Sequence, residues 1–120
     1  MPTGADPRTL RAPLEGLRVI DMTTVLMGPL ATQVLADYGA DVVKVEPPEG
    51  DVMRHGGPSR TERMGPMYLG AGRNKRSIVL DIKKPGGRDA LLRLCEGSAL
   101  FIHNVRLSAM ARAGLAYEDI

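Results

Sequence analysis

Short β-branched runs alternate along the chain with longer stretches of helical periodicity. Arg18-Val19-Ile20-Asp21-Met22 follows Gly16 and reads as a buried strand. Thr23 and Thr24 come next, then Gly28-Pro29, and then Leu30 to Tyr38, whose apolar spacing predicts a helix closed by Gly39. Asp41-Val42-Val43-Lys44-Val45-Glu46 is rich in valine, alternates only in part and is stopped by Pro47-Pro48, which predicts a second strand. A β-α-β unit of this kind joins parallel strands by a crossover and brings the strand ends near Thr23 and Glu46 to one edge of the sheet. Ligands of open α/β sheets collect at that edge.

From Pro47 to about Arg73 the periodicity gives way to glycine, proline and charges of both signs, which predicts a long loop, functional or disordered. Arg76 to Asp81 predicts a third strand, and Pro85-Gly86-Gly87 leads into a helix over Arg88 to Glu96 closed by Gly97. Ala99 to His103 predicts a fourth strand, and a short helix over Leu107 to Arg112 is ended by Gly114. The rhythm specifies an α/β fold: a Rossmann-like, mostly parallel open sheet built from β-α-β units. Residues 1–13, with Pro2, Gly4, Pro7 and Pro13, are expected to be a flexible lead-in, and residues 14–120 the domain. Gly114 to Asp119 has the pattern of a helix start, so the sheet is expected to be incomplete in this chain, with an apolar edge that further chain would cover.

Composition narrows the function. Sixteen Lys and Arg against fourteen Asp and Glu leave +2, far from the concentrated positive charge of a phosphate-backbone binder. Aromatic residues make up 3%, with one Phe and no Trp, which removes the stacking platforms of single-strand binders; nucleic acid is not an expected partner. No apolar run approaches the roughly 18 residues of a membrane span, and Met1 to Arg11 lacks the apolar segment of a signal peptide, so the expected location is the cytoplasm. Cys95, the single cysteine, excludes an internal disulfide and fits helix packing better than nucleophilic catalysis. One Cys with the distant His55 and His103 makes no metal-ligand set.

Three segments could carry chemistry. The loop from Thr23 to Pro29 enters a helix, whose N-terminus attracts anions, but it lacks the Gly-x-Gly-x-x-Gly fingerprint and ordinary capping explains it as well. Asn74-Lys75-Arg76-Ser77, with Lys83 and Lys84 further on, suits phosphate recognition or a solvated strand entrance. His103-Asn104-Val105-Arg106, followed by Arg112, ends a strand at the ligand-collecting edge, where such residues bind ligands or merely cap a turn. No carboxylate lies near His103 in sequence to make it an acid or base, and Asp21, Asp41, Glu46 and Asp81 read as strand-edge polar contacts.

In order and spacing, several segments resemble the N-terminal region of the family III coenzyme A transferases, which include formyl-CoA transferase, carnitine CoA-transferase and the α-methylacyl-CoA racemases. They are Pro13 to Asp21, Val25 to Pro29, Leu35 to Glu46, Asn74 to Ser77, Leu80 to Lys83 and Asn104 to Arg106. The resemblance implies a Rossmann-like CoA-binding domain, no permanently bound cofactor, acyl-CoA and a carboxylic acid as substrates, and an interlocked homodimer. The implied CoA contacts are Val25, Leu26 and Met27 before the Gly-Pro, then Leu80, Asp81, Ile82 and Lys83, then Asn104, Val105, Arg106 and Arg112. Lys83 and Arg112 would flank the adenine as cations. Met27 replaces a usual alanine, His103-Asn104-Val105-Arg106 stands where Glu-Asn-Phe-Arg is frequent, and Pro47 stands where some members carry arginine. The family's catalytic aspartate corresponds to a position beyond Ile120, so no catalytic residue is expected here and the chain alone is expected to be inactive. The alternatives are a racemase, which Asn74 to Ser77 favours less, and a non-catalytic CoA-binding module.

Overall fold

Residues 11–120 are described by a computed structural model. The elements are β1 (Arg18–Met22), α1 (Met27–Asp37), β2 (Asp41–Glu46), a 3-10 turn over Val52–His55, α2 (Pro66–Gly72) and β3 (Lys75–Val79). They continue with α3 (Pro85–Glu96), β4 (Leu100–His103), α4 (Leu107–Arg112) and a last 3-10 turn over Tyr117–Asp119. The strands form one sheet in the order β3-β2-β1-β4, every pairing parallel. The chain moves outward from β1 to β3 and then returns to the other side of β1, so the order reverses between β1 and β4. That reversal opens a crevice at the C-terminal ends of these strands, the place where such sheets bind ligands.

Alternation along the strands divides the core in two. Ile20 and Met22 of β1 and Val43 and Val45 of β2 face α3 and α4, where they pack with Leu91, Met110 and Leu115. Val19 and Val42 face the other way, against Ala36 of α1 and Ala40. On this second face the apolar residues give way toward the C-terminal ends to Asp21, Lys44 and Glu46, all buried. The incomplete alternation of β2 is therefore a two-faced strand whose polar face is covered.

Several boundaries differ from the expectation. Helix α1 begins at Met27, taking Gly28-Pro29 into its first turn, where proline's missing N–H costs nothing. Strand β3 starts at Lys75 and ends at Val79, because Leu80 and Asp81 lead into the turn before α3. The stretch Pro47 to Arg73, read as a loop, contains the 3-10 turn and α2; Pro66 opens α2, but Gly70 and Gly72 hide it from any propensity argument. Contacts with α1 and with the 3-10 turn hold it. Of the expected lead-in, residues 1–10 lie outside the described residues; the Ala12 carbonyl accepts a hydrogen bond from the Glu15 amide.

Candidate functional site

The loop leaving β1 is held from several sides. Thr23 is buried, and its hydroxyl and amide both donate to Asp21 Oδ1. Gly28 lies so close to the Thr23 side chain that a β-carbon there would collide with it, which explains the glycine at this position. Val25 adopts φ 72°, a left-handed conformation that is rare for a β-branched residue. Its side chain and that of Met27 are exposed.

A buried polar network supports this loop. The Lys75 ammonium donates to Asp21 Oδ2, the Pro29 carbonyl and the Thr32 hydroxyl at 3.0, 2.7 and 2.7 Å, which uses all three of its donors. Burial pushes the Asp21 carboxyl up, but the hydroxyls of Thr23 and Thr32 and the charge of Lys75 outweigh it and hold the group below the ordinary carboxylate value. Burial likewise pushes Lys75 down, with Asp21 opposing. Lys44 pairs with Asp51 at 3.0 Å, both almost wholly buried. Glu46 accepts from the Asp51 amide, Arg54, Tyr68 and Ser77. Burial and the adjacent Glu46 carboxylate push the Tyr68 hydroxyl up to about 12.

At the C-terminal edge, on the α3 side, lies a groove made of two adjoining cavities. The first, about 250 Å³, is lined by Met22, Thr24, Val45, Pro47, Pro48 and Glu49 on one side and by Leu80, Asp81, Ile82, Lys83 and Val105 on the other. The second, about 450 Å³, shares Ile82 and Lys83 with the first and adds Lys84, Arg88, Arg112 and Ala113. The groove is thus apolar along its middle and cationic at one end, while its other end reaches Thr24, next to Val25. Gly87 is a further close approach: a β-carbon there would strike the Asp81 backbone, so the first turn of α3 packs directly on the turn that carries Asp81 to Lys83.

Of the residues singled out from the sequence, Leu80, Asp81, Ile82, Lys83, Val105 and Arg112 line this groove. Val25, Leu26 and Met27 follow directly on its Thr24 end. Asn104 directs its amide at the Thr24 backbone. Arg106 is exposed at the N-terminal cap of α4 and lines neither cavity. In the segment Asn74 to Ser77, Lys75 is buried on Asp21, whereas Asn74, Arg76 and Ser77 are exposed, as at a solvated strand entrance; Arg76 pairs with Asp41 at 2.7 Å and Asn74 donates to Asp37. The segment begins β3, at the end of the strand opposite Lys83 and Lys84. Asp21 and Glu46 are not strand-edge contacts either, being enclosed by the network, whereas Asp41 does form exposed pairs with Arg18 and Arg76. Lys44 and Asp51 were not foreseen; the one signal was a lysine within a valine-rich strand.

Comparison with known proteins agrees with this architecture. The family model for CoA-transferase family III matches residues 14–120. The succinyl-CoA:glutarate CoA-transferase of Homo sapiens is 42% identical over 109 residues, 90% of this chain and 25% of that protein. A succinate–glutarate CoA-transferase of Agrobacterium fabrum is 43% identical over 117 residues, 92% of this chain and 29% of that protein. The crystal structure of a CAIB/BAIF family protein from Brucella suis superposes with a TM-score of 0.86 at 38% identity, covering 92% of this chain and 30% of that one. The chain therefore spans a quarter to under a third of the length of these relatives.

Proposed function

This chain belongs to CoA-transferase family III, and on that premise we propose that its groove holds coenzyme A for an enzyme that moves CoA from an acyl-CoA to a carboxylic acid. The observation that carries the proposal is the groove at the strand-order reversal, apolar in its middle and cationic at one end. The adenine nucleotide and its 3′-phosphate lie between Lys83 and Arg112, where planar and flexible cations suit a base face and phosphate oxygens. The pantetheine arm follows Ile82, Leu80, Val105 and Met22, and the thioester reaches the Val25 to Met27 segment. No permanent cofactor is required, and among the described residues no group of His, Cys, Asp and Glu is arranged to hold a metal ion.

The chemistry needs a carboxylate that attacks the thioester carbonyl and expels the CoA thiolate to form a mixed anhydride. The thiolate then attacks the enzyme's acyl carbon, releasing the first acid. The second acid attacks the resulting enzyme thioester, giving a second mixed anhydride and freeing the thiolate, which attacks the second acid's acyl carbon to form the new acyl-CoA and return the enzyme carboxylate. Asp21, Glu46 and Asp51 are unsuited to this attack, since their oxygens are already bonded to cations, hydroxyls or amides. The attacking aspartate belongs to the part of the enzyme outside these 120 residues, in keeping with the family resemblance. The two relatives named above are transferases of succinyl-CoA or succinate and glutarate, which makes a dicarboxylate the favoured acceptor. An interlocked homodimer and a cytoplasmic location belong to the same reading; among the described residues no helix is long and apolar enough to cross a membrane.

Calorimetric titration with CoA and with dephospho-CoA tests the site. Saturable binding that weakens by about tenfold without the 3′-phosphate, and again in Lys83→Ala and Arg112→Ala, is the expected result. Equal affinity for the two ligands, unaffected by either substitution, would remove the nucleotide from this end of the groove.

A further inference from the structure

Side chains from three other parts of the fold grip the backbone of Thr23, Thr24 and Val25. Lys44, on β2, donates to the Thr23 carbonyl at 2.9 Å and to Asp51 Oδ2 at 3.0 Å. Asp51, which caps the 3-10 turn after β2, accepts the Val25 amide on Oδ1 at 3.3 Å and the Met53 amide on the same oxygen at 3.0 Å. Asn104, just past β4, accepts the Thr24 amide on Oδ1 at 3.1 Å and donates from Nδ2 to the Thr24 carbonyl at 2.9 Å. A left-handed valine is strained and persists only where its surroundings impose it. These three side chains supply the surroundings.

We infer that Asn104, Asp51 and Lys44 are positioning residues, which act on the substrate by holding the segment from Thr23 to Met27 in the shape that receives the thioester end of CoA. The inference rests on the CoA reading above and changes the role of Asn104 within it. As a ligand contact, Asn104 would affect binding and leave the loop alone; as a clamp, its loss releases Thr24 whether or not a ligand is present. The Lys44–Asp51 pair is buried, so removing one partner strands a charge and endangers the fold. Removing both together, in Lys44→Met/Asp51→Ala, avoids that and frees both the Thr23 carbonyl and the Val25 amide.

The test uses the intact protein that carries these residues, with Asn104→Ala and the Lys44→Met/Asp51→Ala double variant. Amide hydrogen exchange is followed at Thr24 and Val25, and calorimetry compares CoA with adenosine 3′,5′-bisphosphate, which reaches only the Lys83 and Arg112 end. Exchange is expected to accelerate by about tenfold or more at Thr24 in the first variant and at Val25 in the second. CoA binding is expected to weaken by about tenfold while bisphosphate binding stays within about twofold. Weaker CoA binding with unchanged exchange would make Asn104 a direct contact and overturn the inference. Equal loss of both ligands would also overturn it, since the damage would then be general. If the unmodified protein binds neither ligand, the CoA reading fails, and the exchange rates alone decide whether the clamp exists.

Discussion

Glu46 sits almost wholly buried at the end of β2 and accepts hydrogen bonds from an amide, a guanidinium, a phenol and a hydroxyl. Burial alone would raise its pKa, yet Arg54, the Asp51 amide, Tyr68 and Ser77 together hold it at about 2 against an ordinary 4.5. Folding therefore lowers this pKa, so the associated stability is complete above about pH 4.5 and is lost as pH falls through about 2. The gap corresponds to ~3 kcal/mol. Asp21 is lowered in the same sense and adds to the slope. Urea unfolding midpoints followed from pH 6 to about 2 should fall steeply in the unmodified protein. In Glu46→Gln they should start lower and fall less; an undiminished slope would mean that other carboxylates govern acid unfolding.

Helices α1 and α2 show how elements are placed by contacts that their own residues do not announce. The first turn of α1 carries no side-chain cap, and what seats it is the approach of Gly28 to Thr23 together with the Lys75 bonds to Pro29 and Thr32. Gly28→Ala puts a methyl group into that contact and is expected to cost roughly 1–3 kcal/mol, as overpacking does, measured by chemical denaturation. A neutral result would show that Thr23 can turn aside. Helix α2 is short and contains two glycines inside its span, Gly70 and Gly72. Its hold is Tyr68, whose hydroxyl joins Glu46 and whose ring lies under Arg54 at 3.9 Å, together with the buried Ala71.

For the whole molecule, the parallel sheet leaves β3 and β4 as its two edges. Beside β4 an apolar groove of about 870 Å³ is lined by Leu100, Phe101, Leu107, Met110, Leu115, Tyr117 and their neighbours. Leu107 and Tyr117 are 79% and 94% exposed. Surface of this kind on an isolated domain invites association. The 120-residue chain by itself is expected to enhance the fluorescence of a hydrophobic dye several-fold and to self-associate with rising concentration, by light scattering; a dye-silent monomer would show that this surface tolerates water. The four strands, the helices α1, α3 and α4, and the parallel architecture were all legible in the sequence, because burial periodicity and Gly or Pro punctuation are local properties. The strip Leu80 to Lys83 was implied only by the family resemblance, and it lines the groove. Helix α2, the burial of Asp21, Glu46 and Lys75, and the clamp on Thr24 were not legible. Asn104 meets Thr24 across 80 positions and Lys75 meets Asp21 across 54. Whether a charged side chain ends in water or in a satisfied network depends on which distant strand lies beside it, and the packed sheet alone decides that.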